Sequence, residues 1–255
     1  MKLFFKSLIF NILFFLWTAI AVTTGLPALL GHRRHVHDAA RRWGKGTNFL
    51  LKHIVDIDVE FRGREYLRGG PHLIASKHQS IWETAMIETL VPDCTIVLKR
   101  ELTWIPFFGQ LLLASEMICI NRKSGMKVID QIVEGAREQM AKGRSVWIFP
   151  EGTRRNPGAA PQYKYGIYAL YHNLNLPVIP VALNSGYFWG RRHFIKKPGK
   201  IVLEVLPPIA PGLKARAFLK QLEQVIETAS DHLAPCPDVS RPVEAVVKNE
   251  NDQKD

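Results

Sequence analysis

Residues 7–31 carry no charge over 25 consecutive positions and are rich in Leu, Phe and Ile. About 20 apolar residues cross a bilayer core, so the stretch is long enough to span one. Six basic residues follow within 31–54 (Arg33, Arg34, Arg41, Arg42, Lys45 and Lys52) against one acid, Asp38. A Lys/Arg-rich flank predicts that the chain continues on the cytoplasmic side of a membrane. The competing reading is a secretory signal peptide, because Lys2 and Lys6 form a basic start and Ala19-Ile20-Ala21 resembles a cleavage site. The apolar run to Leu30 and the basic segment behind it weigh against cleavage. A third arrangement is a helix lying in one leaflet, broken at Pro27 and paired with an amphipathic segment over 35–54. Sequence does not choose between spanning and re-entrant.

The rest of the chain reads as a packed domain. Of 255 residues, 47% are hydrophobic and 22% charged, which excludes wholesale disorder. The net charge is +11, and segments 31–54 and 186–200 contribute +5 each. An excess of this kind favours anionic partners. Its distribution predicts two segments addressed to a membrane surface. Phe188, Trp189 and Phe194 interleave with the second segment and suit a headgroup layer, with an ordinary exposed loop as the alternative. No recognised nucleic-acid motif accompanies it. The cysteines, Cys94, Cys119 and Cys236, are few and far apart with no CxxC, which argues against a disulfide framework or a cysteine zinc site.

Past residue 55, short apolar runs alternate with helical periodicity. Strands are expected over 56–61, 72–76, 95–98, 117–120, 146–149, 178–183 and 201–206. Helices are expected over 81–90, 107–114, 124–141, 163–172 and 213–233. The pattern predicts an α/β fold with a mixed, largely parallel sheet flanked by helices. It divides into a membrane-associated segment 1–54, an α/β domain 55–234, and a Pro- and charge-rich tail 235–255 expected to be disordered.

Chemistry in open α/β sheets gathers in loops at the carboxyl ends of strands. Three such loops are loaded. The first, 77–83, holds His78 and Glu83. If His78 sits before the helix, Glu83 can orient its imidazole, leaving the other nitrogen as a base. The bland alternative is a capping box, Ser80-Ile81-Trp82-Glu83. The second, 149–155, reads Phe-Pro-Glu-Gly-Thr-Arg-Arg. Gly152 permits close backbone approach and Arg154 suits phosphate, unless this is only a solvated polar turn. The third begins Lys99-Arg100-Glu101-Leu102 and runs on to Ile105-Pro106-Phe107-Phe108-Gly109. Arg122 adds a cation at the end of the 117–120 strand.

In this order (His-x4-acid, KREL-x2-IPFFG, a strand ending in Asn-Arg, FPEGTR, then Leu-Pro-Val-Ile-Pro-Val over 176–181) the blocks resemble the glycerolipid acyltransferases. They look most like the 1-acyl-sn-glycerol-3-phosphate acyltransferase family, over residues 70–185. The resemblance implies His78 as general base and Glu83 as its orienting carboxylate. It implies substrate binding by Lys99, Arg100, Arg122, Glu151, Gly152, Thr153 and Arg154, with Arg154 on the phosphate. It implies no metal and no cofactor: the acyl donor, acyl-CoA or acyl carrier protein, is a co-substrate. It implies lysophosphatidate as the acceptor; nucleic acid is not an expected partner, and the expected location is the inner membrane, facing the cytoplasm. The family's usual acid in the first block is Asp, so Glu83 puts the His–acid distance in question. Other acceptors (glycerol 3-phosphate, a lyso-aminolipid) and a catalytically silent membrane-binding module remain as alternatives. Oligomeric state is not readable.

Overall fold

The computed structural model describes residues 1–122, 125 and 127–235. The expected disordered tail lies outside them except for Pro235, as do Cys236 and the expected helix start at Ser124. A seven-stranded sheet has the order β1-β7-β6-β2-β5-β3-β4. Its strands are β1 (Ile57–Arg62), β2 (Leu73–Ser76), β3 (Thr95–Lys99), β4 (Ile118–Ile120), β5 (Val146–Ile148), β6 (Val178–Leu183) and β7 (Gly199–Val205). From β6 across to β4 every pair is parallel. β7 reverses direction against β6, and β1 follows β7 in parallel. Helices α3 (Trp82–Leu90), α4 (Phe108–Ala114), α5 (Lys127–Ala141) and α6 (Gly166–Leu174) connect the parallel strands, and α7 (Ser185–Phe188) and α8 (Ala215–His232) flank β7 in sequence.

Strand alternation divides the interior into two cores. Leu73, Ala75, Val146 and Ile148 face the layer of α5, α6 and α8, where Ile132, Leu170, Phe218 and Ile226 are buried. Ile74 and Trp147 point the other way, with Trp82 and Met86 of α3. Each central strand is therefore apolar on both faces, as a covered parallel sheet requires. The edge strand β1 is different: Glu60 lies partly exposed and pairs with Arg62 at 2.7 Å and Lys200 at 3.1 Å.

The amino-terminal segment forms a hairpin packed on this domain. α1 (Lys2–Gly25) ends in a 3-10 turn over Leu26–Leu30 that contains Pro27, and α2 (Arg33–Val55) returns. Trp17 Nε1 donates to the carbonyl of Trp43 at 3.0 Å, and Trp43 Nε1 donates to Thr18 Oγ1 at 3.1 Å. One face of α1 is docked. Phe10 and Phe14 are buried edge-on against Trp189, with ring centroids 5.1 and 5.0 Å away. Burying each such ring stabilises by about 2 kcal/mol. The opposite face, Phe5, Ile9, Ile12, Leu16 and Ile20, is exposed at helical spacing. Both ends of α1 touch the α/β domain. Lys6 pairs with Asp56 just before β1, and Gly25 lies close to Leu111 of α4.

α2 is held to the amino-terminal edge of the sheet by a buried polar cluster. His37 Nδ1 lies 2.7 Å from Glu88 Oε1, and its Nε2 lies 3.1 Å from Arg144. Arg144 also contacts Asp93 at 3.0 Å, and Arg33 reaches Asp93 at 3.2 Å. The expectation that both basic segments simply face a membrane is thereby amended. Arg33 and Arg41 are engaged with acids of the protein, and Lys196 is buried.

Candidate active site

The carboxyl ends of β2 and β5 are neighbours, so the loops following them meet. Arg155 N donates to the His78 carbonyl at 2.8 Å, stitching the 149–155 loop to the 77–81 loop. His78 precedes α3 and Glu83 sits in its first turn, which lets the two side chains converge despite their spacing. His78 Nδ1 is 3.0 Å from Glu83 Oε1. The same oxygen accepts the Gln79 and Ser80 amides, each at 2.6 Å. Glu83 is fully buried and its second oxygen accepts the Ser185 hydroxyl at 2.9 Å. A carboxylate with four donors is a fixed hydrogen-bond acceptor. The capping and orienting readings thus coexist in one side chain, and the extra methylene of Glu83 does not prevent contact with His78. Ser80 Oγ takes the Trp82 amide at 3.2 Å instead of closing the reciprocal half of a capping box.

The His78 ring stacks on Phe149, centroids 3.9 Å apart and 19° from parallel. Its side chain is 16% exposed, and Nε2 has no partner among the described residues. His78 lines a groove of about 720 Å³, and Nε2 is its ring nitrogen left available there. The groove is apolar along Leu98, Phe108, Leu112, Ile129 and Ile167, and Lys99, Arg122, Arg154 and Lys164 line it as well. That is the composition of a ligand site: apolar walls with a few convergent polar groups.

The expected binding residues separate by geometry. Gly152, Thr153 and Arg154 line the groove together with Lys99 and Arg122. Gly152 has φ of +66°, the left-handed region, and closes a turn with its amide on the Phe149 carbonyl at 2.9 Å. Arg154 makes no side-chain bond among the described residues, while its carbonyl accepts from Arg191 at 3.1 Å. Arg100 does not line the groove. It opens the 3-10 turn Arg100–Trp104 that follows β3, and it lies 5.9 Å over the ring of exposed Trp104. Glu151 touches the groove wall, but its carboxylate is buried. It is bound by Lys77 Nζ at 3.2 Å and by the His78 amide at 3.4 Å. Burial pushes this carboxyl up and Lys77 draws it part of the way back. Lys77 also reaches Glu227 of α8 at 2.7 Å, and Tyr163 donates to Glu227 at 3.0 Å.

Sequence reasoning missed Lys77, Lys164 and Ser185. Lys77 stands beside His78 and was open to notice; Lys164 and Ser185 stand in segments with no chemical pattern of their own. Neither of the two described cysteines, Cys94 and Cys119, offers a nucleophile here. Burial raises the Cys94 thiol well above its ordinary pKa and raises that of Cys119 too. No serine or cysteine side chain hydrogen-bonds to His78 among the described residues.

A His–carboxylate pair on a largely parallel sheet beside a cationic and apolar groove is the arrangement of an enzyme in which His78 acts as a base on a hydroxyl group brought by a ligand. Residues 58–184 match the acyltransferase family. The 1-acyl-sn-glycerol-3-phosphate acyltransferase of Pseudomonas aeruginosa is 33% identical over 238 residues, covering 91% of this chain and 92% of that one. The mouse enzyme 1-acyl-sn-glycerol-3-phosphate acyltransferase alpha is 29% identical over 216 residues, 82% of this chain and 73% of its own. The crystal structure of the 1-acyl-sn-glycerophosphate acyltransferase of Thermotoga maritima superposes with a TM-score of 0.73 at 19% identity, covering 90% of this chain and 97% of that one. The chain belongs to the 1-acyl-sn-glycerol-3-phosphate acyltransferase family, and it is an O-acyltransferase whose amino-terminal helix is long and apolar enough to cross a membrane.

Proposed function

We propose that this protein transfers a fatty acyl group from acyl-CoA or acyl carrier protein to the sn-2 hydroxyl of 1-acyl-sn-glycerol-3-phosphate, giving phosphatidic acid. The observation that carries the reading is His78, held at Nδ1 by a buried Glu83 and open at Nε2 to a groove with cations and apolar walls. Arg154, with Lys99 or Lys164, takes the acceptor phosphate and so fixes the hydroxyl near Nε2. The hydroxyl oxygen attacks the thioester carbonyl while Nε2 removes its proton, a contribution of roughly 10²–10⁴-fold. Glu83 stabilises the imidazolium that forms. The amides of Thr153 and Arg154 bond to nothing among the described residues and supply donors for the oxyanion. Collapse of the tetrahedral intermediate expels the thiolate, which takes the proton from His78. The chemistry calls for no metal and no further cofactor.

The membrane arrangement is a helix in one leaflet, with the catalytic domain on the cytoplasmic face of the inner membrane. Its support is that both ends of α1 contact the same domain while one face is left apolar and exposed. Thiol release from acyl-CoA, with and without lysophosphatidate, tests the function. Wild type should release thiol only with acceptor, and His78→Ala should lose roughly 10²–10⁴-fold. Arg154→Ala should raise the lysophosphatidate KM roughly 10- to 100-fold. Equal slow release by wild type and His78→Ala would overturn the reading. Faster turnover of glycerol 3-phosphate or a lyso-aminolipid would reassign the acceptor.

A further inference from the structure

The loop after α7, residues 189–198, touches both α1 and the 149–155 loop. On one side Ser7 Oγ accepts the Lys196 amide at 2.9 Å, and Asn11 Nδ2 donates to the Phe194 carbonyl at 3.1 Å. On the other, Arg191 donates to the carbonyl of Arg154.

The loop is held in shape from within. Lys196 is buried, and its ammonium donates to the carbonyls of His193 and Phe194 at 2.9 and 2.8 Å. It lies 5.8 and 5.6 Å over the rings of Phe10 and Trp189. Among the described residues it has no acid partner, and burial pulls its pKa down to about 8. Burying an unpaired ammonium is costly. Here it fixes two successive carbonyls inward, while side chains on either side of them face out. Arg192, at φ of +61°, is exposed. His193 and Lys197 are exposed too. Neither Arg192 nor Lys197 has an acid partner among the described residues. Phe194 is 44% exposed and its ring lies 5.3 Å from that of Phe4, itself 50% exposed, which extends the apolar surface of α1.

We propose that this loop binds the anionic headgroup layer of the bilayer in which α1 lies, with Phe194 entering beside Phe4, Arg192 and Lys197 on lipid phosphates, and Arg191 joining that contact to the Arg154 backbone. The occupant follows from charge complementarity and from continuity with the exposed apolar row of α1. The inference rests on the membrane arrangement proposed above, but its readout does not depend on catalysis. Each cation near an anionic surface strengthens binding about 5-fold.

The experiment is sedimentation of the full chain with phosphatidylcholine vesicles and with vesicles of three parts phosphatidylcholine to one part phosphatidylglycerol. Arg192→Gln/Lys197→Gln should lower partitioning into the anionic vesicles roughly 10- to 30-fold and leave the neutral vesicles unchanged. High salt should remove the wild-type preference for anionic vesicles. Phe194→Ser should weaken binding to both. In detergent-dispersed substrate the double variant should keep wild-type turnover. Arg191→Met should raise the lysophosphatidate KM without lowering kcat. Unchanged partitioning of the double variant into anionic vesicles overturns the proposal. So does a raised acyl-CoA KM with partitioning unchanged, since the cations would then serve the donor's phosphates. If wild type partitions as expected yet never acylates lysophosphatidate, the failure belongs to the proposed function instead.

Discussion

The Ser185 hydroxyl donates to Glu83 Oε2 at 2.9 Å, joining the start of α7 to the carboxylate that orients His78. The two residues are 102 positions apart. Ser185 is held there because Asn184, buried before it, accepts the Val202 amide at 2.8 Å and donates to the Leu233 carbonyl at 2.8 Å. Ser185→Ala should lower kcat roughly 10- to 100-fold and leave both KM values near wild type, because a hydrogen bond to a buried charge contributes about 1.5–3 kcal/mol. Steady-state kinetics over both substrates checks this. A change confined to KM would contradict it.

Glu83 serves two masters: the imidazole and the start of α3. Glu83→Gln keeps the shape but removes the charge that stabilises the imidazolium, and kcat should fall roughly 10²–10⁴-fold. Glu83→Asp keeps the charge but retracts it by one methylene. Since one oxygen holds both the Gln79 and Ser80 amides and His78 Nδ1, the shorter side chain cannot serve all three without movement. Its kcat should fall between wild type and Glu83→Gln, which parallel kinetics on the two variants decides.

Lys77 lies between Glu151 and Glu227, with its side chain 3% exposed. Lys77→Met leaves a buried carboxylate uncompensated and should destabilise the protein by roughly 3–5 kcal/mol. Lys77→Met/Glu227→Gln should recover part of the loss. Denaturant unfolding of the single and double variants measures the coupling.

Lys196 gives a pH signature. Its folded pKa, about 8, lies below the ordinary 10.5, because burial disfavours the ammonium. Between these values the unfolded chain binds more protons, so stability rises with pH across the window, and the full burial penalty is present below it. The stability of wild type relative to Lys196→Met should therefore increase from pH 8 to 10.5. Thermal unfolding of both proteins over that range checks it, and a constant difference would contradict it.

Much of the fold is legible in the residues because its signals are local. The alternation of Ile57, Val59 and Phe61, the apolar runs of β2, β5 and β6, and the spacing of Phe218, Leu222 and Ile226 mark their elements to within a few residues. Helix starts are less legible: α6 begins at Gly166, three residues after the aromatic pattern begins, because Tyr163 and Lys164 continue the preceding loop. There Tyr163 reaches Glu227, and the Lys164 amide bonds to the Pro150 carbonyl. The reversal of β1 and β7 has no local signature either.

For the site, the sequence by itself determined which chemical groups stand at strand ends: His78, Glu83, Lys99, Arg122 and the 152–154 turn. It also set an apolar helix before them. Tertiary structure decided which of these groups meet. The adjacency of β2 and β5 brings Arg155 against His78, the 3-10 turn after β3 sets Arg100 over Trp104 and leaves Lys99 at the groove, and the start of α7 delivers Ser185 to Glu83. Lys77 finds Glu227 across 150 positions. The physical reason is range. Side-chain periodicity and turn preference act over a few residues, whereas strand order and buried polar contacts are settled by packing between segments far apart in the chain.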